Sequence, residues 1–399
     1  MNTTLAKNGG GIRVEAVDLL RGIVLLLVAL DFTRYYTLGG GEVDPMDLAT
    51  TTAPLFFSRW ITHFFVPGFM LLAGLAAFFR EKDGMSKKQM SFFLFTRGLF
   101  VMALEILVVG FLWDFQPNIL PVFLQFVWVL GLSMVVLAAL IWLPLRVIAG
   151  ISLLVIFGHN FFDSYNLGEG YWQNILWGVL HEETVVCVDI CERAKDEVYY
   201  AYLSYPLMPW AAIMGLGYSL GGLYKLDPEK RKKLLLLFGG VAAGLFIVIR
   251  WINGYGNSEP WSGQDTTLWT VMSFLNVGKY PPSLSYVLMT VGPLLMLLAL
   301  AEKVKSRVAG FFQTFGRAPL FFYLLCFLLA HTMALVLGVF QGFPPGKFLD
   351  GFWNFPQEFG VGLFWVYLLW ITIVVLMYPI CDWYADLRSR KSNLFFKYF

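Results

Sequence analysis

Almost the whole chain is divided into apolar runs long enough to cross a lipid bilayer. A spanning helix needs about 20 apolar residues. Inside lipid each peptide N–H and C=O must be bonded, which for runs of this length means helices. On that basis the sequence predicts about ten helices, at roughly 15–36, 56–79, 92–113, 119–142, 145–162, 203–224, 233–252, 283–301, 317–340 and 359–384. Of the 399 residues 58% are hydrophobic and 14% charged, which leaves no stretch for a separate soluble domain. The expected fold is all-α, a polytopic membrane helical bundle forming one integral-membrane domain over residues 1–399. The first run is longer than a secretory leader's and ends in Asp31, Phe32, Thr33 and Arg34 instead of small residues, so it is read as helix one.

Orientation follows from Lys and Arg in the loops. One side holds Lys7, Arg13, Arg80, Lys87, Lys88, Arg97, Arg146, the KRKK run from Lys230 to Lys233, Lys303, Lys305, Arg307, Arg317, Arg388 and Arg390. The other holds only Arg34, Arg59, Arg193, Lys195, Arg250, Lys279 and Lys347. Both termini are therefore expected in the cytoplasm, and the net charge of +2 conceals a strong asymmetry. The longest outer loop, 163–202, is acidic and is read as an extracytoplasmic cap. Its stretch Tyr171–Leu180 (YWQNILWGVL) has the pattern of a short helix lying in the membrane interface. Cys187 and Cys191 fall in this loop, where a short-ring disulfide is one option, while Cys326 and Cys381 lie inside helices. No Cys/His spacing suits a metal, so no metal is expected, and no nucleic-acid partner.

Polar residues inside the apolar runs carry the functional signal, because an ionisable group in lipid is costly unless it faces other helices or a cavity. Arg59, His63 and Pro67 follow at one-turn spacing in SRWITHFFVPGFMLLAG, along one stripe of a helix. Asp18 and Arg21, then Asp31 and Arg34, are three apart at the two ends of helix one and able to pair. Glu105 sits mid-helix as a structural counter-ion or a support to a site. His159 and Asp163 are four apart, a spacing that lets a carboxylate orient an imidazole. Arg250 and Asn253 end helix seven, Lys279 lies in the KYPPSL loop, and His331 is inside helix nine. By depth, most of this polarity gathers in the outer half of the membrane.

Such a cluster suits chemistry on an exterior substrate or passage of a polar solute. The residue types favour transfer: a histidine can deprotonate a hydroxyl or amine attacking a thioester, and Arg, Asn or Lys can stabilise the oxyanion. No GxSxG, Walker or HExxH motif supports the common hydrolase, NTPase or zincin mechanisms. A transporter or flippase of a polar or lipid-linked solute, or a non-catalytic membrane protein, would share the buried charges and stays open at this point.

RVEAVDLLRGIVLLLVALDFTRYY, SRWITHFFVPGFMLLAGLAAFF, TRGLFVMALEILVV, YPLMPWAAIMGLGYSLG, RWINGYGNSEPW, KYPPSLSYVLMTVGPLLMLLAL, FGRAPLFFYLL and YPICDWYADL together resemble bacterial members of the heparan-alpha-glucosaminide N-acetyltransferase catalytic-domain family, within the transmembrane acyltransferase superfamily. The likeness covers nearly the whole chain. It implies an acyl-CoA-dependent O- or N-acetyltransferase in a bacterial inner membrane, taking acetyl groups from cytoplasmic acetyl-CoA to an extracytoplasmic glycan or amino sugar. Asp18 and Arg21 match the family's DxxRG opening, Arg59 and His63 its RWxTH element, and Lys279 to Leu284 its KYPPSL loop. On this reading Asp18, Arg21 and Lys279 serve acetyl-CoA. His63 is ranked first as base, beside Arg59, Asp31 and Arg34, with His331 second; His159, Asp163, Arg250 and Asn253 face the acceptor. Two positions depart from the pattern. The superfamily's first helix often has His eleven residues after its Arg, where this chain has Phe32, and the GRxPLFxYxxH stretch ends here in Cys326. Direct transfer and a route through an acetylated histidine remain alternatives, and oligomeric state is open.

Overall fold

The computed structural model describes residues 5–8, 11–39, 44–82, 84–116, 122–165, 167–168, 170–188, 199–349, 355–390 and 398. A two-stranded hairpin, β1 (Leu5–Asn8) and β2 (Gly11–Val14), leads into α1 (Glu15–Thr37). The chain continues through α2 (Ala53–Thr62), α3 (Phe65–Lys82) and α4 (Lys87–Leu104), then a π-helical turn Glu105–Val109 into α5 (Gly110–Asp114). Next come β3 (Val122–Leu124), α6 (Phe126–Leu140), α7 (Leu145–Gly158), α8 (Tyr171–Leu180), β4 (Thr184–Val188), β5 (Tyr199–Leu203) and α9 (Leu207–Leu220). The last part is α10 (Pro228–Ile252), α11 (Thr267–Leu275), α12 (Leu284–Ala301), α13 (Arg307–Gly316), α14 (Pro319–Phe340) and α15 (Leu363–Arg390).

The all-α membrane bundle expected from the apolar runs is what forms. Among the described residues, seven helical spans are long and apolar enough to cross a membrane. α1 has the length but carries charge at both ends, and α6 and α9 are only 15 and 14 residues long. These three lie inside the bundle: α1 packs on α2, α3, α12, α13, α14 and α15, while α9 packs on α3, α6 and α7. Their backbones are shielded by protein instead of having to span lipid alone. Outward faces of α10 (Leu237, Val241, Ile247, Val248) and α15 (Phe364, Trp365, Ile371, Val375) are exposed and apolar, as a lipid-facing surface requires.

Several elements depart from the expected segments. The single helix expected at 56–79 is two, α2 and α3, broken at His63 and Phe64. Pro67 supplies the reason: it has no N–H to give the carbonyl four residues back, and its ring crowds that position. That carbonyl belongs to His63, and the Tyr286 hydroxyl from α12 donates to it at 2.8 Å instead. Pro67, expected on the same stripe as Arg59 and His63, lies instead in the first turn of a new helix. The acidic loop holds sheet as well as helix: β4 pairs antiparallel with β5, and β3 pairs parallel with β5. α8 forms over the stretch expected for it. Cys191 lies outside the described residues; Cys326 and Cys381 are buried free thiols. Glu105, fully buried at the π-helical turn, accepts the backbone N–H of Gln125 at 3.1 Å beside the start of α6, so its carboxyl meets the positive end of a helix.

Close helix crossings are built on glycine. At the α3–α9 crossing, a Cβ on Gly74 would stand 1.9 Å from Met214 O, and one on Gly217 would stand 2.0 Å from Leu71 O. Gly74→Ala is therefore expected to force the pair apart at a cost of about 1–3 kcal/mol. A lowered Tm of the purified protein in detergent would show it; an unchanged Tm would contradict the close approach.

Candidate functional site

Five of the sequence-selected residues come together where the α2–α3 break, the outer half of α1 and the loop before α12 meet. Asp31 on α1 is the hub. Arg59 Nη1 reaches both of its carboxylate oxygens at 2.7 Å, and Arg34 Nη2 pairs with Oδ1 from one turn further along α1. The Thr62 hydroxyl adds a bond to Asp31 Oδ1 at 2.8 Å, and Arg34 Nη1 donates to Ser58 O at 3.1 Å. The carboxylate thus ties α1 to the last turn of α2 through charge-assisted bonds that are partly shielded from water. Asp18 and Arg21 form a second pair at 3.2 Å. They sit 13 residues earlier on α1, about 20 Å away along the axis.

His63 lies one turn beyond Arg59 and is 2% exposed. Its ring rests against the Tyr286 ring at 5.4 Å, and its Nδ1 is buried with no hydrogen-bond partner among the described residues. Most buried polar atoms are paired, so an unpaired imidazole nitrogen in such a place stands out. Lys279, 9% exposed, approaches the same spot from the KYPPSL loop and acts electrostatically on Asp31, Arg59 and His63. Its ammonium sits over the rings of Tyr280 and Tyr205, at 4.8 and 5.7 Å from their centroids, within cation–π range. The two tyrosine hydroxyls are 3.1 Å apart. Lys279 and His63 thus each rest against tyrosine rings, beside the part-buried Asp31–Arg59 pair.

The other selected residues occupy separate positions. His159 does not pair with Asp163. Its Nε2 faces Pro282 O at 2.8 Å and its Nδ1 faces Ile156 O at 2.9 Å, so the ring braces the KYPPSL loop against α7. Asp163 instead meets His181, which follows α8, at 3.0 Å, and takes a bond from Asn160 at 2.8 Å. The i,i+4 spacing failed because α7 ends at Gly158 and the chain tightens to a 3₁₀ turn over His159–Phe162, which rotates side chains four apart off a common face. Arg250 donates to four carbonyls, Glu259, Ser273, Phe274 and Asn276, at 2.7 to 3.1 Å. Asn253 exchanges bonds with the main chain of Trp261; both residues hold the loop between α10 and α12. His331 is fully buried, stacked on Phe115 at 4.0 Å, with Nδ1 facing Leu112 O and Nε2 facing Phe348 O at 2.8 and 2.7 Å. Phe32 stacks on Phe327 at 4.6 Å and meets Tyr323 edge-on, while Cys326 is fully buried on the same helix.

Burial opposes ionisation of Asp163, but the bonds from His181 and Asn160 outweigh it and hold the carboxyl below the usual range. A depressed folded value contributes stability above the unfolded value of about 3.9, lost as pH falls through the folded one. Wild type and Asp163→Asn are thus expected to differ in Tm at neutral pH, the gap narrowing only once pH falls below about 4 and closing below the folded value. A difference that persists into acid would refute the assignment.

Fold and site together define an integral-membrane helical protein with an ionic cluster and an unpaired imidazole buried where a spanning helix is interrupted. The sequence matches the family model described as heparan-alpha-glucosaminide N-acetyltransferase, catalytic, over residues 13–251, more than half of the chain, and the protein belongs to that family. Asp18, Arg21, Asp31, Arg34, Arg59, His63, His159, Asp163 and Arg250 lie inside the match; Asn253, Lys279 and His331 lie beyond it. Compared with curated proteins, the chain shows no match.

Proposed function

We propose that the protein is a membrane acetyltransferase that moves an acetyl group from acetyl-CoA on the cytoplasmic side to an extracytoplasmic glycan or amino-sugar acceptor. The observation that carries this reading is the unpaired Nδ1 of buried His63 beside Asp31, Arg59 and Lys279. The Lys and Arg distribution supports setting the end with Arg80, Lys87 and Arg388 in the cytoplasm, as in a bacterial inner membrane. On this reading His63 takes the proton of the acceptor hydroxyl or amine as the oxygen or nitrogen attacks the thioester carbonyl. Arg59 and Lys279 face the negative charge that develops on the carbonyl oxygen, and coenzyme A leaves as its thiolate. Asp31 keeps Arg59 in place. His331, with both ring nitrogens on carbonyls, is assigned to packing. Asp18 and Arg21 belong to the donor's end of the bundle, while His159, Asp163, Arg250 and Asn253 act on the acceptor side at one remove, by holding the loops around the site.

Proteoliposomes supplied with labelled acetyl-CoA on the cytoplasmic side and a panel of amino sugars and envelope glycans on the other test the proposal. Label appearing on an acceptor supports it. Solute flux without consumption of acetyl-CoA would overturn it in favour of transport.

A further inference from the structure

On the side read as extracytoplasmic, three aromatic rings gather beside the imidazole of His181. Trp177 lies one turn before it, with ring centroids 5.0 Å apart, and Phe162 approaches from the 3₁₀ turn at 6.2 Å. Tyr165 meets Trp177 edge-on at 5.9 Å, and both Tyr165 and Phe162 are exposed. α8 is held close to β4 at Gly178, where a Cβ would stand 2.1 Å from Thr184 Cγ2, so the Trp177 ring has a fixed base.

His181 is 2% exposed. Its Nε2 is 3.0 Å from Asp163 Oδ1, and Asn160 donates to the other carboxylate oxygen at 2.8 Å. Asp163 is ionised at neutral pH, so Nε2 carries the ring proton and donates it, and Nδ1 presents a lone pair. That Nδ1 is buried with no hydrogen-bond partner among the described residues. A buried acceptor is normally matched, and the group that fits supplies an O–H or N–H beside ring faces. A pyranose offers both, hydroxyls at its rim and an apolar C–H face. An acyl chain offers only the apolar surface. The face of α8 suited to lipid is the other one, where exposed Trp172 and Leu176 lie opposite Trp177 and His181.

We propose that Trp177, Phe162, Tyr165 and His181 Nδ1 form a sugar-binding subsite, with the sugar ring stacked on Trp177 and one hydroxyl donating to Nδ1. Phe162 is the side chain that makes way, because exposed side chains change rotamer within nanoseconds. The subsite adjoins the loop that carries Lys279. The His159 ring, 6.2 Å from that of His181, bonds Pro282 O, and Glu183 lies within electrostatic reach of Lys279. That the sugar belongs to the acetyl acceptor rests on the acetyl-transfer reading; the subsite rests on its own residues.

Wild type, His181→Phe, Trp177→Ala and His63→Ala are purified into nanodiscs, and their fold is checked by thermal unfolding. Glucose, glucosamine, N-acetylglucosamine and chitobiose are offered at millimolar concentration and read by saturation-transfer NMR. His181→Phe removes one hydrogen bond and is expected to weaken binding about tenfold. Trp177→Ala removes the stacking face and is expected to abolish binding, while His63→Ala binds like wild type. No sugar bound by wild type, or binding unchanged in a folded Trp177→Ala, overturns the subsite. Quenching of Trp177 fluorescence by brominated phospholipid, with no sugar bound, would give these rings to the membrane instead. Sugar binding of the expected pattern, without acetyl transfer by wild type, would leave the subsite standing and remove the acetyltransferase reading. Should His181→Phe or Trp177→Ala not fold, Tyr165→Ala is read on the same scale.

Discussion

His63→Ala is expected to lower acetyl transfer by about a hundred- to ten-thousandfold, the usual worth of a positioned general base, and to leave the fold in place. The second half of that expectation comes from the hydrogen bonds. The ring's Nδ1 has no partner among the described residues, so truncation strands no donor or acceptor there. The main-chain bond that holds the break, from Tyr286 to His63 O, survives in alanine. The check is a labelled acetyl-CoA assay in proteoliposomes run beside thermal unfolding. Transfer at the wild-type rate in a folded His63→Ala protein would remove the assigned base, and loss of both transfer and fold would show the ring to be a packing residue.

Asp31→Asn is expected to act mainly on stability. It removes the carboxylate bonded to both Arg34 and Arg59 and leaves one buried and one part-buried guanidinium group without it. Breaking one partner of a buried pair typically costs about 3–5 kcal/mol, and the part exposure of Asp31 and Arg59 puts the expected loss at the lower end. Arg34 keeps its bond to Ser58 O and Thr62 keeps its bond to Arg59 O, so the loss is expected to come from the charge imbalance. Unfolding of Asp31→Asn, of Arg59→Met and of the double variant forms a cycle: a double variant more stable than Asp31→Asn alone is the expected result. Simple addition of the two losses would mean that the residues do not act as a unit.

The helices were legible because lipid leaves an apolar run few alternatives, and α1, α10, α12 and α14 follow their hydrophobic stretches closely. Elements whose formation depends on contacts were not. α11 and α13 lie in segments too short to signal a span, and the β3–β5–β4 sheet joins strands far apart in sequence. The break in the second segment did have a signal, since Pro67 stands four residues after His63. Its meaning depended on Tyr286, 223 positions away. Depth along the bundle, read from helix ends alone, was enough to bring Asp31, Arg34, Arg59 and His63 together. Depth carries no information about azimuth, however. His331 turns towards Leu112 and Phe348, and Arg250 towards its own loop. His181 went unselected as Asp163's partner because its position depends on how α8 folds back.

The interruption between α2 and α3 also has a directional consequence. One half-helix runs out at Thr62 and the next begins at Phe65, so opposite electrical poles of two peptide columns face each other across His63 and Phe64. The opening turn of a helix carries amide hydrogens that its own coil cannot use. Pro67 has no N–H and that of Gly68 is bonded to Phe64 O, so main-chain support from α3 for a negative oxygen beside His63 would have to come from Phe65 and Val66, which no side-chain substitution deletes. Residual turnover after removal of both Arg59 and Lys279 is where such a backbone contribution would show.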